Sequence, residues 1–167
     1  MIPCTKYIDI NNYFKYLHVL LAIIKKYVII YWDIEVHLST KEKNMNINEA
    51  KILICDDSTL ARRQVKDVVG MIGTPTFFEA EDGEVAVNIV REEKPDMIFL
   101  DLIMPNMDGT EALKQIMEID KDAKVVIVSS IGTQDVLIQT LKLGAREFIQ
   151  KPFSEMQILN ALNKCLQ

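Results

Sequence analysis

From residue 50 onward the sequence predicts an α/β domain: a doubly wound parallel sheet of five strands with helices on its faces. Two observations carry this prediction. Short apolar runs alternate five times with segments whose apolar residues recur at helical spacing. Four of those runs end on a polar residue: Lys51–Cys55 before Asp56 and Asp57, Met97–Leu100 before Asp101, Val125–Val128 before Ser129, and Glu147–Gln150 before Lys151. In an open parallel sheet the carboxyl ends of the strands share one edge, where ligands bind.

The elements follow in order. After the first strand, Ser58 is an N-cap candidate for a helix with Leu60, Val65, Val68, Val69 and Ile72 on its apolar side, stopped by Gly73 and Pro75. Thr76–Ala80 reads as the second strand. Asp82-Gly83 is a turn before a helix bearing Val85, Ala86, Ile89 and Val90, which Lys94-Pro95 ends. The third strand leads into the loop Leu102–Gly109 and a helix with Ala112, Leu113, Ile116 and Met117. The fourth leads, past Ser130 and Gly132, to a helix with Val136, Leu137, Thr140 and Leu141, closed by Gly144. After the fifth strand a last helix spans about residues 154–166.

Parallel strands gather Asp56, Asp57, Asp101, Ser129 and Lys151 at that one edge. Crowded carboxylates repel, so three of them together call for a divalent cation bound by oxygen ligands. Taken singly, each residue has a plainer reading. A lone Asp after a strand is usually a cap or turn former, and a lone Ser or Lys means less still. The order and spacing of all five is what singles them out.

Bulk properties narrow the function. The net charge of −5 and the lack of a basic cluster argue against nucleic acid as a direct partner. Cys4, Cys55 and Cys165 are too few and too scattered for a disulfide framework or zinc site, which fits a reducing cytoplasm. Cys55, inside a strand, reads as a small buried apolar residue. Residues 50–167 contain no histidine, which excludes a histidine phosphotransfer domain and a His-based triad enzyme.

Residues 1–49 are a different population, an N-terminal extension holding all five Tyr, the only Trp and both His. Ile, Lys, Asn and Tyr make up 25 of these 49 residues, as translated AT-rich noncoding sequence would. Met45 is therefore an alternative start, and Lys41-Glu42 can be encoded as a ribosome-binding AAG GAG. The other reading is a weakly amphipathic membrane-surface segment. The apolar stretches around residues 16–32 are broken by Lys25-Lys26 and fall short of the roughly 20 apolar residues of a spanning helix.

Across about residues 50–166 the chain resembles the receiver domain of bacterial response regulators, and in particular the single-domain CheY-like chemotaxis regulators. The resemblance rests on Asp56-Asp57, Asp82-Gly83, Asp101 with Met104-Pro105-Asn106-Met107-Asp108-Gly109, Ser129, Gly144-Ala145 and Lys151-Pro152-Phe153. It implies a flavodoxin-like strand order 2-1-3-4-5. It implies phosphorylation of Asp101 by a histidine kinase, with Mg²⁺ held by Asp57, Asp101 and the backbone carbonyl of Ile103, and Asp56 helping through water. Lys151 and the Ser129 hydroxyl would take the phosphoryl oxygens, and the Lys151-Pro152 bond is often cis in relatives. Ser129 and an aromatic residue on the fifth strand, here Phe148 where many relatives carry Tyr, form the expected switch. The fourth helix, fifth strand and fifth helix form the expected output surface. Without a hydroxyl, Phe148 reads equally well as a half-buried strand residue.

The resulting expectation is a monomeric, stand-alone response regulator, a phosphorylation-dependent switch rather than an enzyme, whose target is a flagellar switch component. A phosphorelay intermediate is the alternative. A hydrolase working through an aspartyl phosphate would carry a second acid two residues after the nucleophile, where this chain has Ile103. A membrane-tethered receiver would depend on residues 13–32. Ile103 and Ile131 flank the expected approach of an attacking water and cannot hydrogen-bond it, which predicts slow autodephosphorylation.

Overall fold

The computed structural model describes residues 46–166. The alternative start at Met45, the amphipathic reading and the tether lie outside the described residues. A short 3₁₀ turn, Ile47–Glu49, leads into β1 (Lys51–Cys55), followed by α1 (Thr59–Gly70), β2 (Thr76–Ala80), α2 (Gly83–Glu93) and β3 (Met97–Leu100). Then come α3 (Gly109–Ile119), β4 (Val125–Ser129), α4 (Gln134–Lys142), β5 (Glu147–Gln150) and α5 (Glu155–Leu166). All strand pairs are parallel, in the order β2-β1-β3-β4-β5.

Alternation along the strands divides the core into two layers. Leu53, Cys55, Ile98, Leu100, Val125 and Ile127 pack with α2 and α3 through Ala86, Val90, Leu113 and Ile116. Their neighbours Ile52, Ile54, Met97, Phe99, Val126, Val128 and Ile149 pack with α1 and α5 through Val65, Val69, Ile158 and Leu162. β1, β3 and β4 are therefore covered on both faces, which is why they read as unbroken apolar runs. Burying one such Ile, Leu or Phe side chain fully is worth about 1.5–3 kcal/mol.

The predicted helices are present, with adjustments at their edges. α1 ends at Gly70 with Met71 as C-cap, before the Gly73 stop. Leu60, Ile72, Val85 and Leu141, expected on buried faces, are exposed. Leu60, Val85 and Leu141 extend an apolar stripe past the width that the sheet covers, and Ile72 lies beyond the end of α1. Ser129 is the last residue of β4 rather than the first beyond it. Asp82 is itself the N-cap of α2, its Oδ1 accepting from the Val85 amide at 2.9 Å. Gly144 takes a left-handed backbone, φ 112°, after α4, and the Lys151-Pro152 peptide bond is cis.

Candidate functional site

Strand register builds the site. Cys55 pairs with Leu100, so the residues that follow them, Asp56 and Asp101, emerge side by side at the point where the chain order of the sheet reverses. Ser129 pairs with Gln150, which sets Lys151 one step beyond, its amide donating to the Ser129 carbonyl at 2.9 Å. Four of the five predicted residues thus come from strand ends that the ladder holds in step. Asp57 completes the set from the loop after β1.

Carboxylate oxygens of Asp56, Asp57 and Asp101 lie within 4.8 Å of one another. Asp56 and Asp101 are buried and Asp57 is exposed, so the cluster opens toward solvent on the Asp57 side. Hard oxygen donors this close, two of them shielded from water, suit a small divalent cation such as Mg²⁺. The Asp101 Oδ1 accepts from the amides of Leu102 and Ile103 at 2.6 and 3.2 Å. That contact also ties Ile103 to the site.

Lys151 closes the other side. Its Nζ donates to Asp56 Oδ2 and to Asp101 Oδ2, both at 2.6 Å. Burial alone would lower the Lys151 pKa, but the hydrogen bonds to Asp101 and Asp56 outweigh it and hold the ammonium above its ordinary value. The buried Ser129 accepts at its Oγ from the Ile131 amide at 3.4 Å. A carboxylate with an ammonium, a hydroxyl and an acidic cation site around it can receive and stabilise a phosphoryl group.

The loop after Asp101 is pinned at several points. Asn106, with a left-handed backbone at φ 62°, donates from Nδ2 to Asp82 Oδ2 at 2.8 Å. The Gly83 amide donates to the Met107 carbonyl, and the Gly109 amide to the Leu102 carbonyl. A Cβ on Gly109 would stand 1.9 Å from the Asp101 carbonyl oxygen. Cys55, buried as expected, points its Sγ at the Asp82 carbonyl oxygen, 3.3 Å away, and burial pushes its thiol pKa well up, so it carries no thiolate chemistry. Phe148 is half-buried on β5, paired in register with Ile127 and packed on the α2/α3 core layer. Ile103 and Ile131 are both partly exposed and line one cavity of about 290 Å³.

Sequence reasoning had no role for Arg62. Its Nη1 donates to the Asp56 carbonyl at 2.7 Å and its Nε to Glu79 at 2.9 Å. The only trace in the sequence is an arginine one helical turn past the capping Ser58, a position any solvent-facing arginine could hold.

This sheet and this pocket define a receiver-type signalling module, and the family model for the response regulator receiver domain matches residues 52–163. The chain belongs to the response regulator receiver family. It is similar to the chemotaxis protein CheY of Thermotoga maritima, 40% identical over 114 residues, covering 68% of this chain and 95% of that protein. It is also similar to sporulation initiation phosphotransferase F of Bacillus subtilis, 38% identical over 116 residues, covering 70% of this chain and 93% of that protein. Among solved structures, the CheX-CheY-BeF3-Mg complex from Borrelia burgdorferi matches with a TM-score of 0.69 and 32% identity, covering 75% of this chain and 97% of that one. The chain is therefore a receiver of the CheY type, a signalling switch with an acidic pocket. Among the described residues no helix is long and apolar enough to cross a membrane.

Proposed function

We propose that this chain is a cytoplasmic response regulator whose Asp101 accepts a phosphoryl group from a histidine kinase and thereby changes its binding to a protein target in chemotaxis. The observation that carries this is the convergence of Asp56, Asp57 and Asp101 on one side of the pocket and Lys151 on the other. A carboxylate oxygen of Asp101 forms a bond to phosphorus as the P–N bond to the kinase imidazole breaks. Lys151 meets the charge on one phosphoryl oxygen, and the Ser129 hydroxyl donates to another. Mg²⁺, held by Asp57, Asp101 and the Ile103 carbonyl with Asp56 acting through water, would neutralise charge on the third. The donor set fits that ion, and the Borrelia relative was crystallised with Mg²⁺.

In the switch, Ser129 moves toward the phosphoryl group and Phe148 fills the space it leaves. This alters the surface of α4, β5 and α5 that a flagellar switch component would bind. The similarity to sporulation initiation phosphotransferase F favours a second reading, a relay intermediate that passes the phosphoryl group to a histidine phosphotransfer protein. Pull-downs with and without beryllofluoride separate the two, because a relay captures a histidine phosphotransfer partner. The primary test is incubation with acetyl phosphate and Mg²⁺. Intact mass should rise by one phosphoryl group in wild type and stay unchanged in Asp101→Asn; labelling of that variant to the same extent would overturn the assignment.

A further inference from the structure

Asp56 has each of its polar groups held. Its amide donates to the Ala80 carbonyl of β2, its Oδ1 accepts from the Ser58 amide, its Oδ2 accepts from Lys151, and its carbonyl accepts from Arg62 Nη1 at 2.7 Å. The last of these fixes the plane of the peptide that joins Asp56 to Asp57. Asp57 is exposed, so nothing in the packed core sets its direction. The held peptide plane sets where its N and Cα atoms lie.

Arg62 is itself anchored. Its side chain is only 13% exposed, and its Nε donates to Glu79 Oε2 from the adjacent strand end. Lys66 holds the other Glu79 oxygen. Those two cations keep the Glu79 carboxyl below the usual range, so it is charged and grips the guanidinium at neutral pH. One planar fork thus spans β2 and the 56–57 peptide, a geometry a lysine ammonium does not reproduce.

We propose that Arg62 is a positioning residue for the cation side of the pocket: through the Asp56 carbonyl it aims Asp57 at the point where Asp101 can share a divalent ion. The inference rests on the metal reading given above. Its sign is unusual. A cation beside an acidic pocket should repel a second cation, so charge alone predicts that losing Arg62 tightens metal binding. Positioning predicts the reverse, and groups that orient metal ligands typically contribute 10–100-fold to affinity.

The test is titration of the full chain with Mn²⁺, read by electron paramagnetic resonance, for wild type, Arg62→Ala, Arg62→Lys, Glu79→Gln and Asp101→Asn. Thermal melts in EDTA accompany each titration to identify the folded variants. Roughly tenfold weaker Mn²⁺ binding is expected for Arg62→Ala and for Arg62→Lys, which keeps the charge but not the fork. Glu79→Gln should show a smaller loss in the same direction. If Arg62→Ala does not fold, Arg62→Lys, which keeps the charge, carries the test. Unchanged or tighter binding in Arg62→Lys overturns the positioning role alone. Wild type that binds no Mn²⁺, or Asp101→Asn that binds it equally well, overturns the metal reading and the positioning role with it.

Discussion

Lys151 donates to Asp101 across 2.6 Å, and the same ammonium reaches Asp56 at the same distance. One positive charge therefore serves two buried carboxylates, with the exposed Asp57 adding a third negative charge nearby. Without a cation the pocket holds a surplus of negative charge in surroundings that screen it poorly. Under the proposed function, that surplus is what would draw a divalent cation into the pocket.

Removing one of the buried charges should relieve this surplus. Asp101→Asn keeps an oxygen for the Leu102 and Ile103 amides and leaves Lys151 paired with Asp56 alone. In EDTA the variant should be more stable than wild type by about 1 kcal/mol. In Mg²⁺ that advantage should disappear, since wild type gains more from the ion. Urea denaturation under both conditions measures it, and a variant less stable than wild type in EDTA would contradict the surplus.

Removing the ammonium should do the opposite. Lys151→Met strands two buried carboxylates, and breaking a fully buried pair costs about 3–5 kcal/mol. Lys151 is partly exposed, so a loss of about 2 kcal/mol in metal-free buffer is expected, and less in Mg²⁺. Chemical denaturation checks both figures; equal losses with and without Mg²⁺ would show that the lysine acts by packing alone.

How far the sequence reached follows from which contacts are local. Asp56, Asp101, Ser129 and Lys151 were legible because each is fixed by where an apolar run stops, and parallel pairing brings run ends together. The strand order and the roles came from family resemblance, not from periodicity. Arg62 was not legible, because its meaning lies in Glu79, a residue of the neighbouring strand that only the β1–β2 register brings beside it. Leu60 misled because a helical stripe does not reveal how wide a face its sheet will cover, and Ile72 because α1 stops at Gly70, before reaching it.

Gly109 is required by space. An added Cβ would lie 1.9 Å from the Asp101 carbonyl oxygen and 2.8 Å from the Leu102 Cα, backbone atoms with no rotamer to escape through. Gly109→Ala should cost about 3 kcal/mol and displace the acceptor strand end. The loss should appear in urea denaturation together with reduced labelling by acetyl phosphate; a variant as stable as wild type would mean that this loop yields easily.

Asn106 and Asp82 give the acid response of the loop a definite sign. The Val85 amide and, next to it, the Asn106 side chain hold the Asp82 carboxyl below its ordinary value of 3.8. A lowered folded-state pKa adds stability that is fully present above pH 3.8 and is lost as pH falls through the lower value. Asn106→Gly suits the left-handed backbone but removes the donor. The variant should be about 1 kcal/mol less stable at pH 7, and the gap should close as pH drops below 3.8. Urea denaturation between neutral and acid pH reads this gap, and one that widens toward acid would refute the sign.

The lifetime of the phosphorylated state should be set by two isoleucines. Ile103 follows Asp101 by two residues and Ile131 follows Ser129 by two; both are partly exposed, and they line the same cavity. At these two positions an attacking water meets branched hydrocarbon, which can neither orient it nor take its proton. Ile103→Asn supplies a group that can orient the water, without adding charge to an already acidic pocket. Dephosphorylation in Mg²⁺ should then speed up roughly tenfold, below the 10²–10⁴ that a fully positioned acid or base contributes. Ile103→Val, equally apolar, should leave the rate within about twofold of wild type, since it offers water no new partner. Loss of the phosphoryl group followed by intact mass measures both, and an asparagine variant that decays no faster than wild type would remove Ile103 from control of the lifetime.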